Sequence, residues 1–378
     1  MRTNSYDSGT RRTWLLAAVS AASCGRSPGT GYHGYAFVAN EEGRSIAAVD
    51  LNTFSVTKQI PLDDGPTAVL ADPWHSSAYV FTPRSGKVHE LDLASLAWKR
   101  TAKTGGPALS MRMAPDGKSL WVLARESRTL TQILLEDMGT AARIKLPADP
   151  ADFDLSREGQ AAVSFPAEGK IALVNLTSRR VEHLLGVGVG PETVRFRQGD
   201  QKHILVANRG DRTVSILDVA AGRAVVHLPL AIEPRNFCFK NNGGELYVTG
   251  PGLDAVVVIF PYETQVYETR LAGRSPGAMA VSDTPEYLFV ANTEAGNLTV
   301  LDVTTGKVVA VVAVGNEPTF IAITPDNRYA LVVNRGSGDL AVIRIAALGN
   351  KRAKPAPTPL FTMIRVGSKP VSAAVRRT

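Results

Sequence analysis

The chain has 378 residues, 44% of them hydrophobic, so a sizeable core is available and disorder along the whole length is excluded. Its 33 glycines and 23 prolines follow no triplet period, which excludes collagen; two cysteines exclude a disulfide scaffold, and no apolar run approaches the ~18 residues of a membrane span. The net charge of +7 sits at the ends: residues 1–34 hold +3, Lys351, Arg352 and Lys354 another +3, Arg376 and Arg377 +2, and the rest −1, so the gathered basic face of a nucleic-acid binder is missing and no nucleic-acid partner is expected.

At the N-terminus, Arg11-Arg12-Thr13-Trp14-Leu15-Leu16 opens a short apolar stretch that closes on Ala21-Ala22-Ser23-Cys24. A cationic segment, about ten apolar residues and then small residues read as an export signal. The paired arginines resemble a twin-arginine signal, and Ala-Ala-Ser-Cys resembles a bacterial lipobox. Residues 1–23 are therefore expected to be an export signal, Cys24 a lipidation site and 24–34 a linker. The expected address is periplasmic or cell-surface, with membrane contact only through the lipid anchor.

From residue 35 to 378 the sequence repeats. The valines Val38, Val80, Val122, Val163, Val206, Val248, Val290 and Val332 recur at steps of 41 to 43 residues. A second marker, Pro66, Pro107, Pro150, Pro191, Pro234, Pro276, Pro318 and Pro370, keeps the same spacing until a last step of 52, which accommodates an insertion at 349–360. Each unit reads as four short strands rich in Val, Ile and aromatics. In the seventh these are Leu288–Ala291, Leu298–Asp302, Val308–Val314 and Thr319–Thr324, separated by turns such as Asp302-Val303-Thr304-Thr305-Gly306. No segment keeps a 3.6-residue period, so helix should be scarce. Four strands per ~42 residues without helix predict an all-β fold, a β-propeller of stacked blades. The markers predict eight blades, or seven if the poorly matching third or fourth unit is not a blade. The chain enters at the second strand of a unit and ends on a first strand, Val371–Val375, which is expected to complete the first blade and close the ring.

The Tyr247-Val248-Thr249-Gly250 run, the Val-Ala-Asn runs after Phe37 and Phe289, and turns such as Ala114-Pro115-Asp116-Gly117 resemble the YVTN-repeat family of propellers, of the surface-layer type. The resemblance covers 35–378 and implies the fold. Family propellers that carry metals, haem or quinone cofactors tend to place His or carboxylates at the channel mouth.

The six histidines, His33, His75, His89, His183, His203 and His227, are scattered with no ligand spacing and none beside a marker proline, so no metal and no cofactor are expected. No nucleophile elbow or phosphate loop is present, and Gly186-Val187-Gly188-Val189-Gly190 reads as a blade connector. Cys238 sits in an apolar strand and reads as core. Asn40, Asn208, Asn292 and Asn334 read as turn formers, as do Asp50, Asp92, Asp218 and Asp302. Near the marker prolines of units three to five the polar residues collect. Asp154 and Arg195 stand four residues after their prolines and are expected to pair across blades. Asp152, Glu192, Arg235 and Asn236, with the loop arginines Arg125, Arg209 and Arg335, form the candidate ligand patch; no catalytic residue can be named. The expected function is an exported, monomeric, non-catalytic propeller presenting its loop face to a protein, small-molecule or polysaccharide ligand. The alternative is a propeller enzyme or subunit, lactonase-like or quinoprotein amine-dehydrogenase-like, by analogy of fold.

Overall fold

The computed structural model describes residues 31–349 and 358–377; the expected export signal, the expected lipidation site Cys24, most of the expected linker and most of the insertion lie outside them. The chain folds as expected into eight four-stranded antiparallel sheets, and units three and four are true blades. The inner strands, from blade 1 to blade 8, are Pro370–Arg377, Ala68–Ala71, Ser110–Met113, Phe153–Leu155, Pro191–Phe196, Asn236–Phe239, Pro276–Val281 and Pro318–Ile323. Helix is confined, among the described residues, to two 3-10 turns, Pro166–Glu168 and Ile345–Ala347.

Each blade buries both faces of its middle strands. In Ser77–Thr82 and in Tyr329–Asn334 every residue is buried, whereas outer strands such as Ala97–Lys103 alternate exposed and covered positions. The apolar side chains sort into eight clusters, one at each junction between neighbouring blades. Tyr247, Val256 and Val258 of blade 6, for example, pack on Leu288, Val290 and Leu301 of blade 7. A fully buried Val or Leu contributes about 1.5–3 kcal/mol, so a blade alone would forfeit most of its stabilisation. The repeat period is the sequence trace of that stacking.

The last strand sews the ring shut. Tyr35 lies opposite Arg376, Phe37 opposite Ala374 and Val38 opposite Ala373, so blade 1 is built from both ends of the chain and no inner edge is left open.

The turn aspartates act as predicted. The Asn52 amide donates to Asp50 Oδ1 at 2.7 Å and the Thr305 amide to Asp302 Oδ1 at 2.7 Å. These turns end in the left-handed region. Gly222 and Gly306 occupy it cheaply, while Phe54, Leu96 and Met138 occupy it with buried side chains whose burial offsets the strain.

The four asparagines do something other than turn. Each ends the second strand of its blade, fully buried. Asn40 Nδ2 donates to the Val366 carbonyl and Asn334 Nδ2 to the Val314 carbonyl, both at 2.8 Å, each reaching the connector that leaves the preceding blade. Asn208 and Asn292 satisfy Ser215 and Thr299 inside their own hairpins. A glycine packs flat on each asparagine. A β-carbon at Gly188, Gly273 or Gly315 would lie 2.6–2.7 Å from the amide nitrogen of Asn208, Asn292 or Asn334, and one at Gly367 2.7 Å from Asn40 Cγ. The Asn therefore travels with a Gly three residues before the marker proline. Blades 1, 5, 7 and 8 have both, blades 2, 4 and 6 have neither, and blade 3 has only the glycine, Gly105, one place nearer its slipped proline.

Candidate functional site

The second strand of a blade ends where the inner strand begins: Pro191 pairs opposite Asn208, Pro276 opposite Asn292 and Pro318 opposite Asn334. The loops before the inner strands and the turns after the second strands therefore share one face, the mouth of the central channel.

One register position makes a ring around the axis. It is the inner-strand residue opposite the one before the marker valine. There stand Leu70, Arg112, Asp154, Arg195, Cys238, Ala280, Ala322 and Ala374. Three consecutive blades, 3 to 5, carry charge at it, and blades 7, 8 and 1 carry alanine. Asp152, one step nearer the mouth on the same face of its strand, is the hub of the charged arc. Its carboxylate takes Arg112 Nη2 of blade 3 at 3.2 Å and Arg195 Nη1 of blade 5, and Val194 N donates to it at 3.3 Å. Arg195 thus pairs with Asp152, and not with Asp154 as its place in the sequence predicts. Asp154 instead accepts the Phe196 amide at 2.9 Å and stands 3.8 Å from Arg112 Nε. Asp152 is no rim charge. The side chains of Arg112, Asp152 and Arg195 keep only 19–28% of their surface. Burial alone pushes the Asp152 carboxyl up, but Arg195 and Arg112 beside it outweigh this and hold it below the ordinary range. Burial pulls Arg195 down, and the Asp152 and Asp154 charges outweigh it and raise it.

Above this hub the rim is a chain of pairs. Arg209 bridges Glu192 and Glu233, each at 2.5 Å, and Arg235 reaches Glu233 at 3.3 Å. Glu192 is tied to blade 4 because its carbonyl accepts Ser164 Oγ at 2.6 Å. Arg125 Nε donates to the Pro150 carbonyl at 3.1 Å. Asn236 donates to Thr249 Oγ1 at 3.2 Å. Of the predicted patch, then, Asp152, Glu192, Arg125, Arg209, Arg235 and Asn236 gather on blades 3 to 6. Arg335 does not join them; it stands on blade 8 between Glu41 at 3.5 Å and Glu317 at 3.7 Å.

Sequence reasoning missed Arg112. The connector before Pro107 is one residue shorter than in the other blades and the run after it one residue longer, which puts Arg112 fifth after its proline, so a count from the marker lands on Met111 instead.

The repeat breaks at the mouth of blade 6. Like blades 2, 3 and 4 it has no asparagine in the corner, and it continues as Val248-Thr249-Gly250-Pro251-Gly252, a glycine-proline-glycine turn. A cleft of about 710 Å³ opens there towards blade 7, lined by Arg235, Asn236, Asp254, Arg274 and Thr293. Arg274 and Glu294 stand 3.9 Å apart beside it, both largely exposed.

None of the six histidines is on an inner strand. His89 is buried in blade 2 between Thr82 and Thr101, and burial lowers its pKa. Among the described residues, no group of three or more His, Cys, Asp or Glu side chains is placed to hold a metal ion. Burial pushes the Cys238 thiol up to about 12, so it is no nucleophile at neutral pH.

No family model and no curated protein matches the sequence. Solved structures do match. Dihydro-heme d1 dehydrogenase NirN, in complex with DHE, superposes with a TM-score of 0.73 at 14% identity, over 91% of this chain and 75% of that one. Hydrazine synthase from Kuenenia stuttgartiensis gives 0.61 at 17%, over 74% and 96%. A functionally unknown protein from Desulfotomaculum acetoxidans gives 0.60 at 15%, over 74% and 95%. The chain is an eight-bladed β-propeller. At these identities the likeness extends to the fold and no further.

Proposed function

We propose that the protein is an exported, non-catalytic propeller that binds a small polar ligand at the channel mouth, in the cleft between blades 6 and 7. The observation that carries this is the coincidence of three features: the Gly250-Pro251-Gly252 turn that opens the cleft, the charged rim from Glu192 to Arg235 whose end lines it, and the ionic hub on the neighbouring blades 3 to 5. Packing alone accounts for the regular blades. The rim guanidiniums are held in place by Glu192 and Glu233, which fixes them for recognition at little further entropic cost. Both signs of charge line the cleft, with amide and hydroxyl donors between them, so the reading favours a ligand bearing both carboxylate and amino or hydroxyl groups. The twin-arginine-like leader and lipobox-like Cys24 support delivery to the periplasm or cell surface with a lipid anchor, and the Val-Ala-Asn and YVTN-like runs support kinship with surface-layer-type propellers.

The test is a thermal-shift and calorimetric screen of the full-length protein against amino acids, hydroxy acids, dicarboxylates and sugar acids. A hit is expected to lose at least about tenfold in affinity in Arg235→Ala, with melting unchanged. A hit unaffected by Arg235→Ala and Asn236→Ala places binding elsewhere. A visible chromophore in protein isolated from its source, or turnover of sugar lactones, would overturn the non-catalytic reading.

A further inference from the structure

Arg335 stands apart from the other mouth arginines, and the surface around it suits a different ligand. Two cavities of about 840 and about 270 Å³ run together on the mouth face over blades 8, 1 and 2, sharing Glu42, Arg335 and Lys369. The cations along them are Arg365, Arg335, Lys369, Arg44 and Arg84. The acids are Glu41, Glu42 and Glu317, so the groove is net positive. Arg335 is answered by Glu41 and Glu317, and Lys369 by Glu42 at 3.2 Å. Among the described residues, Arg44, Arg84 and Arg365 have no carboxylate at salt-bridge distance; Arg365 reaches only the Ser337 carbonyl, at 3.4 Å. All three are exposed. Gly65, Gly336, Gly338 and Gly367 leave the wall without side chains, so a bulky chain can approach the backbone.

We propose that this groove binds a linear acidic polysaccharide, a polymer with about one carboxylate per sugar ring. Three unanswered guanidiniums spread over three blades fit an extended polyanion better than a single small ion. The interleaved glutamates set the charge density. They would repel a nucleic-acid strand with a phosphate every ~3.4 Å, whereas between sparser carboxylates they accept hydrogen bonds from sugar hydroxyls. No aromatic ring lines the groove, so bases have nothing to stack on. The site shares no residue with the cleft on blades 6 and 7 and does not depend on it.

The experiment titrates labelled polygalacturonate against the full-length protein, with neutral dextran and a single-stranded oligonucleotide as comparisons. Saturable binding is expected, weakened by added salt. The variant carrying Arg44→Gln, Arg84→Gln and Arg365→Gln should lose about tenfold or more with its melting temperature kept, while Arg365→Lys stays close to the parent. Arg235→Ala should leave polygalacturonate binding intact, which separates this site from the cleft. Binding no better than dextran, an unaffected triple variant, or tighter binding of the oligonucleotide would each overturn the proposal.

Discussion

Two arcs of the same ring are held together by different means. On blades 7, 8 and 1 the channel position is Ala280, Ala322 and Ala374, and each second strand ends in an asparagine packed on a glycine. Inner strands there approach closely, and the links between blades are apolar contacts and amide bonds to backbone. On blades 3 to 5 the same position is Arg112, Asp154 and Arg195, and two of the three blades lack the asparagine. There Asp152 takes a guanidinium from each side. A buried ionic hub seldom stabilises more than an apolar equivalent would. The plain arc thus shows what the frame alone requires, and the charged arc carries residues that the frame does not require.

Removing residues 370–378 should have the largest effect. It strips blade 1 of its inner strand, leaving Phe37 and Val38 without cover, and the expected outcome is loss of cooperative melting and of soluble yield. A folded, monomeric product would mean that the plain arc closes without its seam. Next comes Asp152→Ala, which leaves Arg112 and Arg195 facing each other without a counter-charge and should cost about 3 kcal/mol in urea unfolding. Replacing the whole cluster, with Arg112→Leu, Asp152→Ala, Asp154→Ala and Arg195→Ala, makes this arc resemble the other one. Most of the lost stability should return while ligand binding at the mouth weakens. If the fourfold variant is as unstable as Asp152→Ala, the cluster is structural and the contrast between the arcs fails.

The pH dependence sharpens the same contrast. Asp152 has a depressed folded-state pKa, so its contribution is present above the unfolded value of about 3.9 and is lost as pH falls through the folded value. The acid limb of the stability curve should therefore be shallower in Asp152→Asn than in the parent, by up to ~1.4 kcal/mol per pH unit, and unchanged in Asn334→Ala. Denaturant titrations between about pH 5 and pH 3 decide it.

The fold was legible because every blade solves the same packing problem with the same residues, so valine and proline repeat at a fixed interval. The seam was legible because the count begins at a second strand and ends at a first. The site was only partly so. Asp152 and Asp154 lie two apart on one face of a strand, and nothing in their order says which of them Arg195 will choose. Arg112 was hidden by a one-residue slip of its marker proline, and the cleft at Gly250 is visible only as a Gly-Pro-Gly turn where the other blades have none. The buried asparagines were misread because the type suits turns as well as corners; the glycine that accompanies each of them was the signal that separates the two uses.

That pairing of glycine with asparagine gives the smallest effect and the most specific test. Asn334→Ala removes amide bonds to the Val314 carbonyl and to Asp339 Oδ1 and should cost about 2 kcal/mol. Gly315→Ala puts a β-carbon 2.7 Å from Asn334 Nδ2, at a backbone φ of +143° that L residues seldom adopt, and should cost about as much. In the double variant the colliding amide is gone, while the backbone strain, the lost bonds and a 2.8 Å approach to Ser337 Oγ remain. The two changes should then fall short of additivity by about 1 kcal/mol in a double-mutant cycle. Blade 2 has neither residue, with Thr82 and Asp63 in their places, and supplies the control: Asp63→Ala combined with Asn334→Ala should be additive. Additivity of Gly315→Ala with Asn334→Ala would mean that the repeat keeps the two residues for unconnected reasons, and that the plain arc is held by apolar packing alone.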